Sequence, residues 1–142
     1  MAITRGYCQS FIDELTEGVH NLDTDVIKIA LYTDSASLSP STTTAYSATN
    51  EVSGTGYSSG GKTFSLTSGF PAQSATTGQK SYRFDDVTWT SASFTARGAL
   101  IYNSSQSNKA IMILDFGGNR TVTSSIFTVS NPTTVPPLIA LR

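Results

Sequence analysis

The segment Gly56–Thr63 reads GYSSGGKT and matches the G-x-x-x-x-G-K-[ST] phosphate-binding loop at every position. The run Ile111–Asp115 ends in an aspartate, as the strand that accompanies such loops does. A phosphate-binding loop joins a buried strand to a helix whose N-terminus faces the phosphates. Here the segment follows EVSGT and precedes FSLTSGF, which alternates with period two as a strand does. We therefore interpret it as a turn leading into a strand and predict no nucleotide and no other cofactor.

The carboxylates that could act as a pair are Asp85, Asp86 and Asp115. Two such groups could serve acid–base chemistry or bind calcium if they converged. Adjacent residues on a strand point to opposite faces, so Asp85 and Asp86 do not converge without a bulge. We interpret all three as polar residues at strand edges that accept hydrogen bonds from the backbone or from Arg97.

The chain has one histidine and one cysteine, His20 and Cys8. Alone, they supply neither a multi-histidine metal cluster nor an internal disulfide. We expect His20 to lie at the C-terminus of a helix and to interact with its dipole, and Cys8 to act as a small buried hydrophobe. No serine lies in a G-x-S-x-G elbow. The sequence thus predicts no catalytic residue and no metal site.

Two loop aromatics give the one positive signal of function. Residues 34–63 form a Ser/Thr/Gly-rich segment without periodicity, which we interpret as a long loop or arm. Tyr46 and Tyr57 lie within it, where no local core is available, and large aromatics on a polar arm are typical anchors for a protein partner. This predicts an interaction protein. A carbohydrate- or receptor-binding module that uses the same aromatics is an alternative.

Only residues 7–20 show helical spacing, with Phe11, Leu15 and Val19 four residues apart. The remainder predicts short strands and turns. The predicted strands are 25–33, 64–67, 82–89 (with Tyr82, Phe84, Val87 and Trp89 buried), 94–102, 110–116, 126–129 and 138–141, and residues 103–109 form a turn. About seven strands predict a mainly β fold, a β-sandwich or jelly-roll-like single domain over residues 1–142 with a short N-terminal α-helix.

Composition excludes some partners. Of the 142 residues 13% are charged, against about 25% in typical soluble domains. The chain contains 21 Ser and 21 Thr, so hydroxyls cover much of the surface. A formal net charge of −1 argues against binding to nucleic acid or to an anionic membrane. No apolar run reaches the roughly 20 residues that a membrane span needs.

The order of several motifs resembles that in a group of small structural proteins of tailed bacteriophages. The resemblance extends from Phe11 to Gly117. Its motifs are EGVHN, IKIALYT, YSATNEVSGTGY, GGKT, FDDVTW, ARGALIYN and AIMILDFG. This group is associated with capsid cement or decoration proteins, some with jelly-roll-like folds.

The resemblance implies a non-enzymatic role on the virion. It predicts a protein made in the bacterial cytoplasm that binds the major capsid protein on the outer capsid surface and stabilises the shell. Homodimers or homotrimers are expected, because cement proteins occupy symmetry axes. The terminal strand Leu138–Leu141 could pair with a partner's sheet edge. A tail or neck component is the alternative, with neighbouring tail proteins as partners.

Overall fold

A computed structural model describes residues 2–67, 72–73, 80–130 and 139–141, with only the backbone for 72–73, 80–82 and 139–141. One helix and eight strands are present among these residues. In chain order they are β1 (Gly6–Tyr7), α1 (Gln9–Thr16), β2 (Ile27–Tyr32), β3 (Lys62–Thr63), β4 (Ala72–Gln73), β5 (Lys80–Tyr82), β6 (Val87–Asn103), β7 (Lys109–Val129) and β8 (Ile139–Leu141). The mainly β class with a short N-terminal helix is confirmed. The jelly-roll arrangement stays a prediction.

The long hairpin of β6 and β7 dominates the fold. Its antiparallel register runs from Val87 opposite Val129 to Asn103 opposite Lys109. The predicted turn at 103–109 is confirmed, and within it Ser107 and Asn108 adopt positive φ. The predicted strands 94–102, 110–116 and 126–129 thus belong to two longer strands, because the ladder continues through residues whose local pattern is polar.

The hairpin is the centre of a five-stranded sheet with the order β1-β7-β6-β2-β3. We call residues 98–103 and 109–115 its inner half. There β2 pairs with β6 from Ile27 opposite Asn103 to Tyr32 opposite Gly98. Every residue of β6 in this half is buried, and β6 lies between β2 and β7 in the sheet. The predicted strand 25–33 and the burial of Phe84, Val87 and Trp89 are confirmed.

The outer half of the hairpin, residues 87–97 and 117–129, is irregular. Register shifts interrupt the ladder near Ala92 and Phe94, and Ser91 and Ser124 have positive φ. β-Bulges of this kind bend and twist a two-stranded ribbon. The strand β7 curls so strongly that the rings of Phe116 and Phe127 lie only 6.1 Å apart.

The helix is shorter than the predicted 7–20. At its start, Tyr7 belongs to β1 and pairs with Met112 of β7. At its end, Gly18 takes a positive φ of 77°, its N–H donates to Leu15 O, and the N–H of Val19 donates to Glu14 O, which is a Schellman motif. Tertiary pairing and this C-cap therefore override the helical periodicity at both ends.

The segment 34–63 is a loop, but it is not a free arm. Leu38 and Val52 are buried, and isolated bridges join Glu51 to Tyr32, Ala45 to Lys109 and Thr55 to Ser93. Of the two predicted forms, a long loop or an arm, the structure has the loop, because these contacts hold it against the main sheet. The strand predicted at 64–67 is displaced: β3 occupies Lys62–Thr63, and Leu66 forms only an isolated bridge with Phe84.

A second sheet has three strands in the order β4-β5-β8. Its strand β8 confirms most of the predicted terminal strand 138–141 and pairs with β5, with Ala140 opposite Ser81. The predicted burial of Tyr82 lies outside the described side chains, as does Leu138.

Candidate assembly surface

Glu51 organises the long loop. Its Oε1 accepts hydrogen bonds from the Tyr57 hydroxyl (2.6 Å) and the Gly60 N–H (2.8 Å), and its Oε2 accepts from the hydroxyls of Tyr46 (2.7 Å) and Ser59 (3.0 Å). Sequence reasoning missed this residue. Its position in the sequence could have identified it as a candidate, because Glu51 is the single carboxylate between Asp34 and Asp85.

The rings of the two tyrosines are packed as well. Tyr46 stacks on Tyr102 at 4.7 Å between centroids, and Tyr57 lies 6.0 Å from Trp89 and 5.7 Å from Phe94. The prediction that no local core is available to Tyr46 and Tyr57 is therefore wrong. The carbohydrate alternative loses the aromatics on which it depended.

Burial raises the pKa of Tyr57 and Tyr46 above the ordinary phenol value, and the nearby Glu51 carboxylate raises both further. Burial also raises the pKa of Tyr102 to about 12. These phenols are neutral hydrogen-bond donors at physiological pH. They hold the loop rather than transferring protons.

The GYSSGGKT segment is a turn followed by a strand, as interpreted from the sequence. Gly61 has a φ of 75°, and a Cβ there would lie 1.8 Å from the carbonyl oxygen of Ile29, so only glycine fits. Lys62 begins β3, donates from Nζ to Thr88 O at 2.7 Å and lies 5.8 Å from the centroid of the Trp89 ring. No helix follows within the described residues up to Thr67. The lysine is committed to the neighbouring strand rather than to a phosphate.

The predicted carboxylates have structural partners. Asp115 accepts from Arg97 Nε at 3.2 Å and from the Gly117 N–H at 2.9 Å, and these bonds lower its pKa. Asp85 and Asp86 also make polar contacts, and the Asp85 N–H donates to Ser65 O at 2.8 Å. Within the described ranges, no three His, Cys, Asp or Glu side chains come together in a way that could hold a metal ion.

His20 is not an exposed cation at a helix end. Its side chain is fully buried, 5.1 Å from the Phe11 ring centroid, and its Nδ1 lies 3.0 Å from the Asn103 amide nitrogen. The amide donates to Nδ1, so Nε2 carries the proton and faces Glu14 Oε1 at 3.6 Å. Burial lowers the pKa of His20, although Glu14 acts in the opposite direction. The helix ends four residues earlier, so the predicted dipole contact is wrong.

Cys8 is buried just before α1, as predicted. Burial and the nearby Glu14 raise the pKa of its thiol to about 11. The thiol is therefore protonated at physiological pH and is a poor nucleophile.

The outer edge of β7 is the main unpaired feature. Beyond its short pairing with β1 at Met112 and Ile113, no described strand pairs with this edge. From Gly117 to Thr128 most side chains are exposed, and Ile126 has 61% of its surface accessible. An unpaired edge presents rows of backbone N–H and C=O groups, to which another strand can add.

A cleft of about 440 Å³ adjoins this edge. Its lining combines the apolar side chains of Leu114, Phe116 and Phe127 with the guanidinium groups of Arg5 and Arg120. The cleft exists because the curl of β7 brings residues 114–116 close to residues 127–130. It gives the exposed edge both an apolar contact area and positive charge.

No protein-family model matches the chain, and comparisons with curated proteins and with solved structures find no match. In the part of the chain that the structure describes, no helix has the length and apolarity needed to cross a membrane. Function is therefore inferred from the chain's own residues.

Proposed function

We propose that the chain is a non-enzymatic structural protein of a tailed-bacteriophage virion, a capsid cement or decoration protein that binds the outer capsid surface. The observation that carries the proposal is the long outer edge of β7, with which no described strand pairs beyond Ile113, on a well-packed β framework. Together with the order of sequence motifs, it supports a role in assembly. The major capsid protein is the proposed partner, and a homodimer or homotrimer the proposed form.

The use of the reactive side chains supports binding rather than catalysis. Glu51 holds the loop, Asp115 pairs with Arg97, and Cys8 and His20 are buried in the core. Each of these groups stabilises the fold through contacts that a substrate would have to displace. At an exposed strand edge, a partner can bind without displacing internal contacts of this kind.

The surface chemistry of the outer half suits a shell protein. Exposed threonines face each other across the ribbon, with 3.2 Å between the hydroxyls of Thr88 and Thr128 and 2.9 Å between those of Thr95 and Thr121. Contacts made by hydroxyls and backbone groups depend less on salt than ion pairs do. A shell protein built this way would remain bound as ionic strength changes.

Immunogold electron microscopy of virions tests the location. With antibody against the recombinant chain, gold over the head shell is the expected result. Gold confined to the neck or tail would overturn the capsid role and favour the tail alternative. Unlabelled particles would overturn the virion role altogether.

A pair of substitutions tests the surface. Ile126→Lys places a charge on the outer edge of β7, whereas Ile12→Lys makes the same change on the exposed side of α1, where 51% of the isoleucine is accessible. Particles lacking the protein are incubated with each variant, and bound copies are counted by quantitative mass spectrometry. We expect Ile126→Lys to lose most binding and Ile12→Lys to retain it. Equal binding by the two variants would contradict the assignment of the surface.

A further inference from the structure

The unpaired edge begins where the N-terminal segment leaves β7. Gly6 still pairs with Ile113, but the Thr4 N–H donates to Leu38 O at 2.9 Å, and Ile3 forms a parallel bridge with Leu38. The residues that precede Arg5 therefore lie beside Leu38 and not along β7. An added strand could continue the line of β1 along β7 without displacing any described strand.

The cleft at this point carries unbalanced positive charge. Arg120 Nη2 donates to Phe116 O at 3.0 Å, and the charge of Arg5 helps to lower the pKa of Asp115. Among the described residues that line the cleft, Asp115 is the one carboxylate, and it is already bound by Arg97 and the Gly117 N–H. The lining thus holds two guanidinium groups against one carboxylate, next to apolar side chains.

We propose that this cleft binds a carboxylate side chain from an extended segment of another protein, which adds as a strand to the outer edge of β7. Arg5 and Arg120 would bind the carboxylate, and Phe116 and Phe127 would contact an apolar neighbour in the same segment. Charge complementarity selects an acidic segment, because guanidinium groups pair with carboxylates in two-point hydrogen bonds. The inference rests on the proposed function of β7 as an assembly edge and adds the chemistry of the partner.

The test uses the ¹⁵N-labelled full chain and two synthetic peptides. One is acetyl-Ser-Val-Thr-Glu-Thr-Val-Ser-amide, in which the two Val side chains share a face of the extended strand with Glu, and the other has Gln in place of Glu. Amide chemical shifts are followed by NMR as each peptide is added. We expect the shifts to lie in β7 and next to Arg5, and the Glu peptide to bind about tenfold more tightly, a difference of about 1.4 kcal/mol, because the guanidinium groups pair with its carboxylate.

Charge-neutralising variants provide the control. Both Arg5 and Arg120 are exposed, so Arg5→Gln and Arg120→Gln are expected to leave the spectrum of the folded chain intact. Each should reduce the preference for the Glu peptide. Lys28→Gln removes the same charge from β2, two strands away from β7, and should preserve that preference.

The outcomes separate this inference from the proposed function. Equal affinity of the two peptides, with shifts confined to β7, would overturn the carboxylate site while leaving the edge as a strand-binding surface. Shifts elsewhere, or none at millimolar peptide, would overturn strand addition itself. Shifts in β7 that depend on protein concentration and not on peptide would overturn the proposal by identifying a second copy as the occupant. Immunogold location on the virion does not depend on any of these results.

Discussion

The two halves of the β6–β7 hairpin differ in what covers them. In the inner half, β2 and β1 flank the ribbon, and residues 99–102 of β6 read ALIY and are buried. In the outer half, the loop around Thr55 and Lys62 contacts β6, while the outer edge of β7 has no described partner. The comparison separates the part of one hairpin that is enclosed by neighbouring strands from the part whose outer edge no described strand covers.

The largest expected effect is in the inner half. Leu100→Ala removes a fully buried side chain between Ala30 and Ile113 and leaves a cavity. We expect the free energy of unfolding to fall by about 2–5 kcal/mol, measured by urea denaturation. A loss below about 1 kcal/mol would show that the inner half is not the stabilising part.

The second largest loss of unfolding free energy is expected in the loop that covers β6. Glu51→Gln keeps the shape of the side chain but weakens the four hydrogen bonds that the carboxylate accepts. The amide N–H₂ of the new glutamine would face groups that are themselves donors and could not accept hydrogen bonds from them. We expect a loss of about 1.5–3 kcal/mol in unfolding free energy. The control is Glu17→Gln, an exposed position after α1, where the loss should be near zero. Similar losses for the two variants would contradict the role of Glu51 as the centre of the loop.

The pH dependence of the unfolding free energy tests the buried contacts of His20 with Asn103 and Phe11, beside the inner half. The pKa of His20 is lowered in the folded protein from its ordinary 6.5, so the unfolded chain binds the proton more readily. The contribution of neutral His20 is therefore complete above about pH 6.5 and decreases as pH falls towards the lowered folded value. Glu14, Asp25 and Lys109 are the charged groups that act on this ring.

Urea denaturation at a series of pH values measures this dependence. His20→Gln retains an acceptor for Asn103 but does not titrate, so its stability should change less between pH 7 and 5. Asp115 also has a lowered pKa, but its contribution is lost only as pH falls below about 3.8. An identical profile for the wild type and His20→Gln would remove His20 as the source of acid sensitivity.

The smallest effect on stability is expected in the outer half. Ile126→Thr replaces a residue with 61% of its surface exposed by one that suits a strand. The unfolding free energy should change by no more than about 0.5 kcal/mol, measured by urea denaturation. A loss as large as that of Leu100→Ala would eliminate the contrast between the halves.

The local sequence pattern predicts some elements of the structure correctly and fails for others. The strand at Ile27–Tyr32, the hairpin turn and the turn at Gly61 follow from alternation and turn residues within a few positions. The packing of Tyr46 and Tyr57 does not, because it depends on distant partners such as Trp89 and on hydrogen bonds to Glu51. His20 was misjudged for the same reason, since Asn103 lies far along the chain.

The candidate surface was even less accessible to sequence reasoning. The residues from Asn119 to Thr128 are mostly polar, and nothing in their local pattern tells which edge of the strand is paired. The cleft depends on the curl that brings Phe116 to Phe127, and its charge on Arg5 from the other end of the chain. Only tertiary structure brings these groups together.

The pairing of β2 with the hairpin also has a consequence for folding kinetics. Ala30 pairs with Leu100, so this contact closes a long stretch of chain, whereas β6 and β7 meet across a short turn. Contacts of high sequence separation slow folding. At a synthesis rate of roughly 5–20 residues per second, the apolar strand β2 emerges from the ribosome several seconds before its partner strand. The newly made chain thus exposes its most apolar N-terminal segment until the hairpin arrives to cover it.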